Sequence, residues 1–530
     1  MTTVSIFNDV IGPVMRGPSS SHCAAALRIG RLARDLMGGE LTEVLVEFDR
    51  AGSLPSTHES QGSDMGLFGG LLGWEADDER LPDSPQALAA SGVALRIETV
   101  DTGDPHPNTY RLTLKNSREQ HSITAISTGG GMIEVLSVDG TPLHMDGGYH
   151  STIMWLDADP EPVIGIINSS MAADGVQTGR TAHGGWLLMV EASAFAEDDV
   201  IQKVEAAVRV RGVKRLERVL PVPSRRDMSV PFSSCAEMLA SDTDRQTPLW
   251  QLAVKFERAR GLFSEEEVIA KMTGIVRILR KSVQIGIDGT VYEDRVLGHQ
   301  SGKFQDLMNA GRLLDGGALN RITLYVTALM EVKSSMGVIV AAPTAGACAA
   351  LPGAVIGMAE AMGKSEEDMA RAMLAAGVIG VFIATRWTFA AEVGGCQAEG
   401  GAAASMAAAA LVTLAGGTRD QAVAAASMAF QSMLGLICDP IANRVEAPCL
   451  GKNVMAAANA LCCANMALSG FDPLIPLDEV IDAAKTVAGM MPREHRCTAL
   501  GGLSITPASL NLERKLAGLK ANSCGSCGCH

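Results

Sequence analysis

Residues 365–384, SEEDMARAMLAAGVIGVFIA, decide the class of the larger part of this chain. The leading serine can accept from the N–H groups that a first helical turn leaves bare. Acids follow at 366–368, where the helix dipole favours negative charge. The rest is apolar apart from Arg371 and contains one aromatic residue. The same opening recurs in SEEEVIAKMTGIVRILRKSV (264–283) and TRDQAVAAASMAFQSML (418–434), so the pattern predicts helices from about 235 to 518. The 530-residue chain is 47% hydrophobic but only 4% aromatic, with alanine, glycine and methionine in place of bulk. Small side chains let helices approach closely. A tightly packed all-helical domain is therefore expected over 241–520.

Upstream the pattern changes. LTEVLVEFD, VALRIETV, YRLTLKN and SITAIST are short β-like runs between glycine-rich turns, with a helix near 23–37, so residues 1–155 read as an α+β domain. Residues 160–222 read as a small βαββαβ unit. PVIGIINSS (162–170) and GGWLLMVEAS (184–193) are its expected strands, EDDVIQKVEAAVRV (197–210) a helix, and GVKRLERVL (212–220) a closing strand. Residues 223–240, entered through PVPSRRDMSVPFSS, read as a linker. The last ten residues, ANSCGSCGCH (521–530), read as a Cys-rich tail outside any core. The fold class is thus multidomain: α+β, then βαββαβ, then all-α.

A formal net charge of −15 argues against nucleic acid or an anionic membrane as the main partner. MTTVSIFNDVIGPVM opens as folded protein, and twelve cysteines without a secretory signal point to a reducing cytoplasm and to metal or catalytic use. Residues 336–362 are apolar enough to resemble a membrane span. Pro343 and Pro352 interrupt them, and a buried helix pair is expected instead.

Three cysteines stand apart. Cys396 in EVGGCQAEGG (392–401), and Cys438 and Cys449 in CDPIANRVEAPC (438–449), each sit where a helix stops and restarts, beside glycine or proline. Cys462 and Cys463 lie on an ordinary helical run. Zinc commonly takes four ligands in two close pairs. Intervals of 42 and 11 residues with no CxxC do not provide them. Three thiolates can instead hold three irons of a cubane cluster and leave the fourth open as a Lewis acid. GPSSSH (17–22) precedes an alanine-rich run; its serines could cap that helix or present N–H groups to a carboxylate. HPNT (106–109) is either a structural turn or a device for orienting a substrate. Asp439 and Glu446 are either hydrogen-bond acceptors around the cysteines or helix caps.

These residues resemble the bacterial iron–sulfur-dependent L-serine dehydratases. IGPVMRGPSSSHCAAALRIGR (11–31), the glycine-marked segments of 52–73, PHPNT (105–109) and STGGGMIEV (127–135) follow in family order. APTAGACAALPG (342–353), EVGGCQAE, CDPIANRVEAPC and GGLSITP (501–507) resemble the helical catalytic part. The resemblance implies fused beta and alpha parts, and an ACT-like domain over 160–222. It also implies a 4Fe–4S cluster on Cys396, Cys438 and Cys449, and an active site between the main domains. His22, His106 and Asn108 would lie near the substrate, with Ser19, Ser20, Ser21 and Thr344 binding it. Cys529 in the tail is a further candidate ligand, able to cover the open iron until substrate arrives. The implied reaction removes water from a β-hydroxy amino acid, most simply L-serine to pyruvate and ammonia. No pyridoxal phosphate is needed, and a homodimer or higher homo-oligomer is expected by analogy.

The chain departs from the family at several points. The family's proposed α-proton base is a histidine, and aligned on Gly62 and Asp64 its place is taken by Gln61, with His58 three residues earlier. RWTFAAE (386–392) replaces a serine-rich stretch, setting Arg386 where asparagine is usual. Asn443 and Arg444 replace a glycine and a neutral residue, and 294–304 lacks the usual polar run but offers His299 and Lys303. Arg386 and Arg444 admit a larger or more anionic substrate such as 3-hydroxyaspartate, since guanidinium pairs with carboxylate. Loss of the base would also fit a non-catalytic amino-acid or redox sensor, and the cysteines alone would fit a zinc-binding structural protein.

Overall fold

The computed structural model describes residues 3–225, 228–243 and 246–524, and divides them into two compact units. One comprises residues 4–20 and 230 onward; the other runs from 21 to 229. The first twenty residues thus mostly belong with the C-terminal unit, and not with the N-terminal α+β domain expected over 1–155.

Within that C-terminal unit, Ile6–Val10 forms a single helical turn capped by Ser5, and β1 (Val14–Arg16) follows. Val14, Met15 and Arg16 face Val340, Ile339 and Val338 of a later strand in antiparallel register.

The unit spanning 21–229 holds the β-like runs as expected. Strands β2 (Glu43–Asp49), β3 (Ala94–Val100), β4 (Thr109–Lys115), β5 (Gln120–Gly129), β6 (Met132–Val138) and β7 (Thr141–Met145) form one sheet in the order β3-β2-β4-β5-β6-β7. Only β2 and β3 are parallel. Helices Ala25–Leu36 and Ser63–Leu71 pack together so closely that a Cβ at Gly70 would strike the Leu27 carbonyl, which explains a glycine-rich GGLLG.

The second sheet contains β8 (His150–Leu156), β9 (Gly175–Arg180), β10 (Trp186–Ala192) and β11 (Val210–Leu216) in the order β11-β8-β10-β9, with helices Glu161–Ser170 and Asp198–Ala207. The connectivity is βαββαβ. Its first strand, however, precedes residue 160, and 162–170 is a helix where a strand was expected. Pro162 occupies the first turn, where a missing N–H costs nothing, and Val163 and Ile167, four apart, are buried on one face. A run of β-branched residues conceals that spacing.

The larger unit is built around the Glu366–Arg386 helix, which packs against Ala402–Leu414, Leu249–Gly261 and Glu265–Asp288. Capping boxes start it and the helices at 265 and 419, with Ser365, Ser264 and Thr418 as caps. Nearly every residue of Ala402–Leu414 is buried, as alanine-lined contacts allow. By length and composition Glu366–Arg386 could cross a membrane; here most of it is enclosed by its neighbours. Residues 336–362 are not the expected helix pair. They form the short strand β12 (Val338–Val340), a turn containing Pro343, and one helix, Ala350–Ala361. β12 also makes the unit other than purely helical. The expected linker contains a helix, Cys235–Ser241, and the closing helix Pro507–Cys524 runs into the expected tail. Cys527, Cys529 and His530 lie outside the described residues.

Candidate active site

The sulfur residues belong to the larger unit. Cys396 follows the turn Ala391–Gly394 and Gly395, whose φ is +67°. A Cβ at Gly395 would lie 2.8 Å from Met491 Sδ and 2.9 Å from the Leu436 carbonyl, so the sequence needs glycine there. Gln397, fully buried, then ties the two cysteine segments together. Its N–H donates to Leu436 O (3.0 Å), its Oε1 accepts from Gly435 N–H (2.9 Å), and its Nε2 donates to Ala484 O (3.3 Å). Cys449 begins the Cys449–Leu468 helix after Pro448.

Cys396, Cys438 and Cys449 are all buried. The Cys438 thiol is in hydrogen-bond contact with Cys396 and with Cys497, contacts that together with burial hold it well above the ordinary thiol range. Burial pushes Cys449 up to about 12, and it lies within electrostatic reach of Cys396. At Cys497 the contact with Cys438 pulls the thiol down, while burial with Glu392 and Glu399 pushes it up and prevails. The structure thus brings the expected cysteines into one neighbourhood and adds a fourth sulfur that sequence reading missed.

Lys452 was missed as well. Its Nζ donates to Asp439 Oδ1 (2.6 Å) and Ile437 O (2.7 Å), and lies 3.6 Å from Cys396 Sγ. Burial alone would lower this ammonium, yet Cys396 and Asp439 outweigh it and hold it above the usual range. The signal was Lys452 three residues after Cys449, one helical turn on. Asp439 is an acceptor on both oxygens, taking Lys452 and Leu503 N–H (2.9 Å). Glu446 accepts from Val296 and Leu297 N–H at 2.9 and 2.8 Å.

Thr344 is buried and donates to Glu399 Oε1 (2.8 Å). Burial lifts the Glu399 carboxyl to about 7, against the hydrogen bond from Thr344. Ser20 Oγ accepts from Ala345 N–H (3.3 Å), which ties the GPSSSH serines to the segment carrying Thr344; Ser19 is buried. Asn453 caps the Ala350–Ala361 helix, accepting from Ala349 and Ala350 N–H and donating to Gly346 O and Cys449 O. The two unusual arginines are both engaged elsewhere. Arg386 Nη2 lies 2.5 Å from Asp482 Oδ2, and Arg444 Nη2 lies 2.5 Å from Asp294 Oδ1.

The expected catalytic residues from Ser21 onward belong to the other unit, where His22, Asn108 and His106 share one hydrogen-bonded chain. Thr57 Oγ1 donates to Ser53 O (2.8 Å), so His22 Nε2–H is the donor to Thr57 Oγ1 at 3.1 Å. Ser53 Oγ donates to Asn108 Oδ1, and Asn108 N–H donates to His106 Nδ1 (3.2 Å). Burial pulls His22 down to about 4 and lowers His106 too, so His22 is neutral at pH 7. Gln61 is buried, its N–H on Thr57 O. His58 Nδ1 meets both Asp64 oxygens at 2.8 and 2.9 Å, and its ring lies 5.3 Å from that of Phe48. Asp64 fixes the Nδ1–H tautomer and makes Nε2 the basic nitrogen. His58 and Asp64 thus have the geometry of a base and its orienter, which Gln61 cannot offer.

Among the described residues, no group of three or more His, Cys, Asp or Glu is placed to hold one metal ion. A cubane makes a different demand, one cysteine to each of several irons. A buried set of sulfurs with no imidazole among them, next to a lysine that offsets thiolate charge, has the donor chemistry such a cluster takes.

A family profile described as serine dehydratase alpha chain matches residues 198–504. The probable L-serine dehydratase alpha chain of Bacillus subtilis is 35% identical over 287 residues, covering 54% of this chain and 96% of that one. The chain belongs to the L-serine dehydratase family. The probable beta chain of the same organism is 37% identical over 176 residues, 33% of this chain and 78% of that one. The single-chain L-serine dehydratase of Streptomyces coelicolor is 28% identical over 502 residues, 92% of this chain and 96% of that one. This family member therefore carries the beta and alpha parts fused.

Proposed function

We propose that the protein is an iron–sulfur-dependent ammonia-lyase that removes water from L-serine, yielding pyruvate and ammonia. The observation that carries this reading is the buried sulfur set around Cys438, in a chain of this family. Cys396, Cys438 and Cys449 would hold a 4Fe–4S cluster. When bound, its open iron would supply Lewis acidity to a substrate hydroxyl.

The remaining work falls to the protein's own groups. We assign α-proton removal to His58 Nε2, with Asp64 holding Nδ1–H. Neutral, buried His22 and Asn108 would orient the substrate. Glu399, whose carboxyl burial lifts to about 7, can carry a proton that its Oε2 hands to departing hydroxide while Thr344 holds Oε1. Both arginines that favoured a larger, more anionic substrate are paired with aspartates, so nothing in the structure favours that reading over serine. The βαββαβ unit has the strand order 4-1-3-2, which supports an ACT-type assignment and a role in forming a homo-oligomer. Free thiols support a cytoplasmic setting.

The test is anaerobic purification, a visible spectrum with iron and sulfide content, and a keto-product assay on serine, threonine, cysteine and 3-hydroxyaspartate. A brown protein active on serine is expected. Alanine at 396, 438 or 449 should remove colour and activity together, and Glu399→Gln should lower turnover with iron retained. A colourless, iron-free protein, or full turnover in the cysteine variants, overturns the proposal.

A further inference from the structure

We propose that Lys333 receives the carboxylate of the substrate, and so sets the preference of the enzyme for an amino acid over its uncharged relatives. This assignment rests on the dehydratase reading above and adds a binding residue to it. Lys333 lies in the last turn of the Ala318–Ser334 helix, just before β12, and its side chain is fully buried. Its stem runs against the start of the GPSSSH turn: a Cβ at Gly17 would lie 3.0 Å from Lys333 Cγ. Its Nζ donates to the carbonyl of Val445, in the loop that joins Cys438 to Cys449. The ammonium is thus set between two segments from which the site is built, both in the larger unit.

The informative feature is the counter-charge. Among the described residues Lys333 forms no ion pair, and its bond to Val445 uses one of three N–H donors. A buried charge is ordinarily paired, because one neutral carbonyl does not replace the hydration it gives up. The other cations discussed above are already matched: Arg386 by Asp482, Arg444 by Asp294 and Lys452 by Asp439. Burial raises the Glu399 and Glu446 carboxyls and the Cys449 thiol, and Lys333 opposes it at each, so the ammonium is within electrostatic reach of all three. Neither carboxyl closes on it. Glu399 Oε1 accepts from Thr344, and Glu446 Oε2 accepts from Val296 and Leu297 N–H. A small carboxylate entering beside Thr344 and the cysteine loop supplies the anion that the two remaining donors lack. This contact is made equally before and during the reaction, so it acts on KM and not on kcat.

The parent, Lys333→Met and Lys333→Gln are reconstituted anaerobically with iron and sulfide. Iron per chain, the visible spectrum and the kinetics on L-serine are recorded. Binding of L-alanine, which has no hydroxyl to lose, and of L-alaninamide, which has no carboxylate, is measured by titration calorimetry. The parent should bind L-alanine about 10–100-fold more tightly than the amide, as a charge-assisted contact requires. Both variants should keep iron and spectrum, lose that discrimination, and raise the KM for serine about 10–100-fold with kcat within about threefold. Equal binding of the two ligands by the parent overturns the assignment without recourse to any variant. Unchanged KM and discrimination in an iron-loaded variant overturn it too. Loss of iron with an unchanged KM per loaded site makes Lys333 a support for Cys449 and overturns it as well. Absence of iron and turnover from the parent overturns the proposed function, and this assignment with it.

Discussion

His58 shows what a residue's chemistry can and cannot reveal before its neighbours are known. The substitution at Gln61 was legible, but nothing in STHESQGSD says that Asp64 reaches back to Nδ1; one turn of chain reversal after Gly62, at φ +88°, does that. With Asp64 as orienter, His58→Gln should lower turnover on serine about 10²–10⁴-fold. Iron content and circular dichroism should not change, and turnover within twofold of the parent would remove His58 as the base. Cys497 was illegible for a related reason, since its meaning comes from sulfurs more than forty residues away, and Lys452, one turn past Cys449, meets the sulfur of the distant Cys396 only in the fold. Glu257 is a second such case. It is fully buried, accepts from Ser5 Oγ (2.6 Å) and Ile6 N–H (2.9 Å), and burial lifts it from 4.5 to about 7. A carboxyl raised in the folded state favours the folded form below pH 4.5, and that contribution is lost as pH rises through about 7. The full shift corresponds to at most about 3 kcal/mol. Glu257→Gln should therefore show a flatter melting temperature between pH 5 and 7.5 than the parent. Its amide has one acceptor oxygen and can keep only one of the two contacts, Ile6 N–H or Ser5 O–H, which lowers stability at every pH without adding slope. Parallel curves for parent and variant would place the ionised form in the folded protein.

Among the elements, those with caps and uninterrupted periodicity were readable, and those defined by a distant partner were not. Ser264, Ser365 and Thr418 announced helices that form with the expected caps. The strand β12 was hidden in an apolar run because its partner, β1, lies more than three hundred residues earlier. The Ala350–Ala361 helix was misjudged for the same reason, since its cap comes from Asn453 on another helix. That cap gives an element-scale prediction. Asn453→Ala strips the partners from two buried N–H groups and two carbonyls at the point where this helix meets the start of Cys449–Leu468. Each unmet buried group costs about 1–3 kcal/mol, less what local relaxation recovers. The variant should unfold at clearly lower urea concentration than the parent and lose iron faster under chelator, because Cys449 shares the tie. Asn453→Asp keeps the two acceptor contacts and should fall between them. An unchanged midpoint for Asn453→Ala would mean that water replaces the carboxamide.

At the scale of the whole molecule, the division of the chain matters more than any single element. Composition separated a strand-rich part from a helix-rich part but assigned the first twenty residues by proximity in sequence, and the structure assigns residues 4–20 otherwise. Ile6 packs where Gly377 leaves room on the Glu366–Arg386 helix, Val10 where Gly380 does, and Ser5 with Ile6 satisfies Glu257. Ile6, Phe7, Val10, Ile11 and Met15 are all at most 5% exposed. Burying such side chains stabilises by about 1.5–3 kcal/mol each, and five of them match the whole net stability of an ordinary domain, about 5–15 kcal/mol. The helical unit should therefore not be self-sufficient without this strip. Residues 230–530 produced alone should melt broadly and expose apolar surface to a hydrophobic dye. Adding a peptide of residues 4–20 should raise the melting temperature in a saturable, concentration-dependent way, as any ligand of the folded form must. A peptide with Ile6 and Val10 changed to aspartate should not, because each carboxylate would be buried where Gly377 and Gly380 admit an apolar side chain. A sharp, peptide-independent transition for 230–530 would show that the helices close their own core and that the N-terminal strip covers a surface already stable without it.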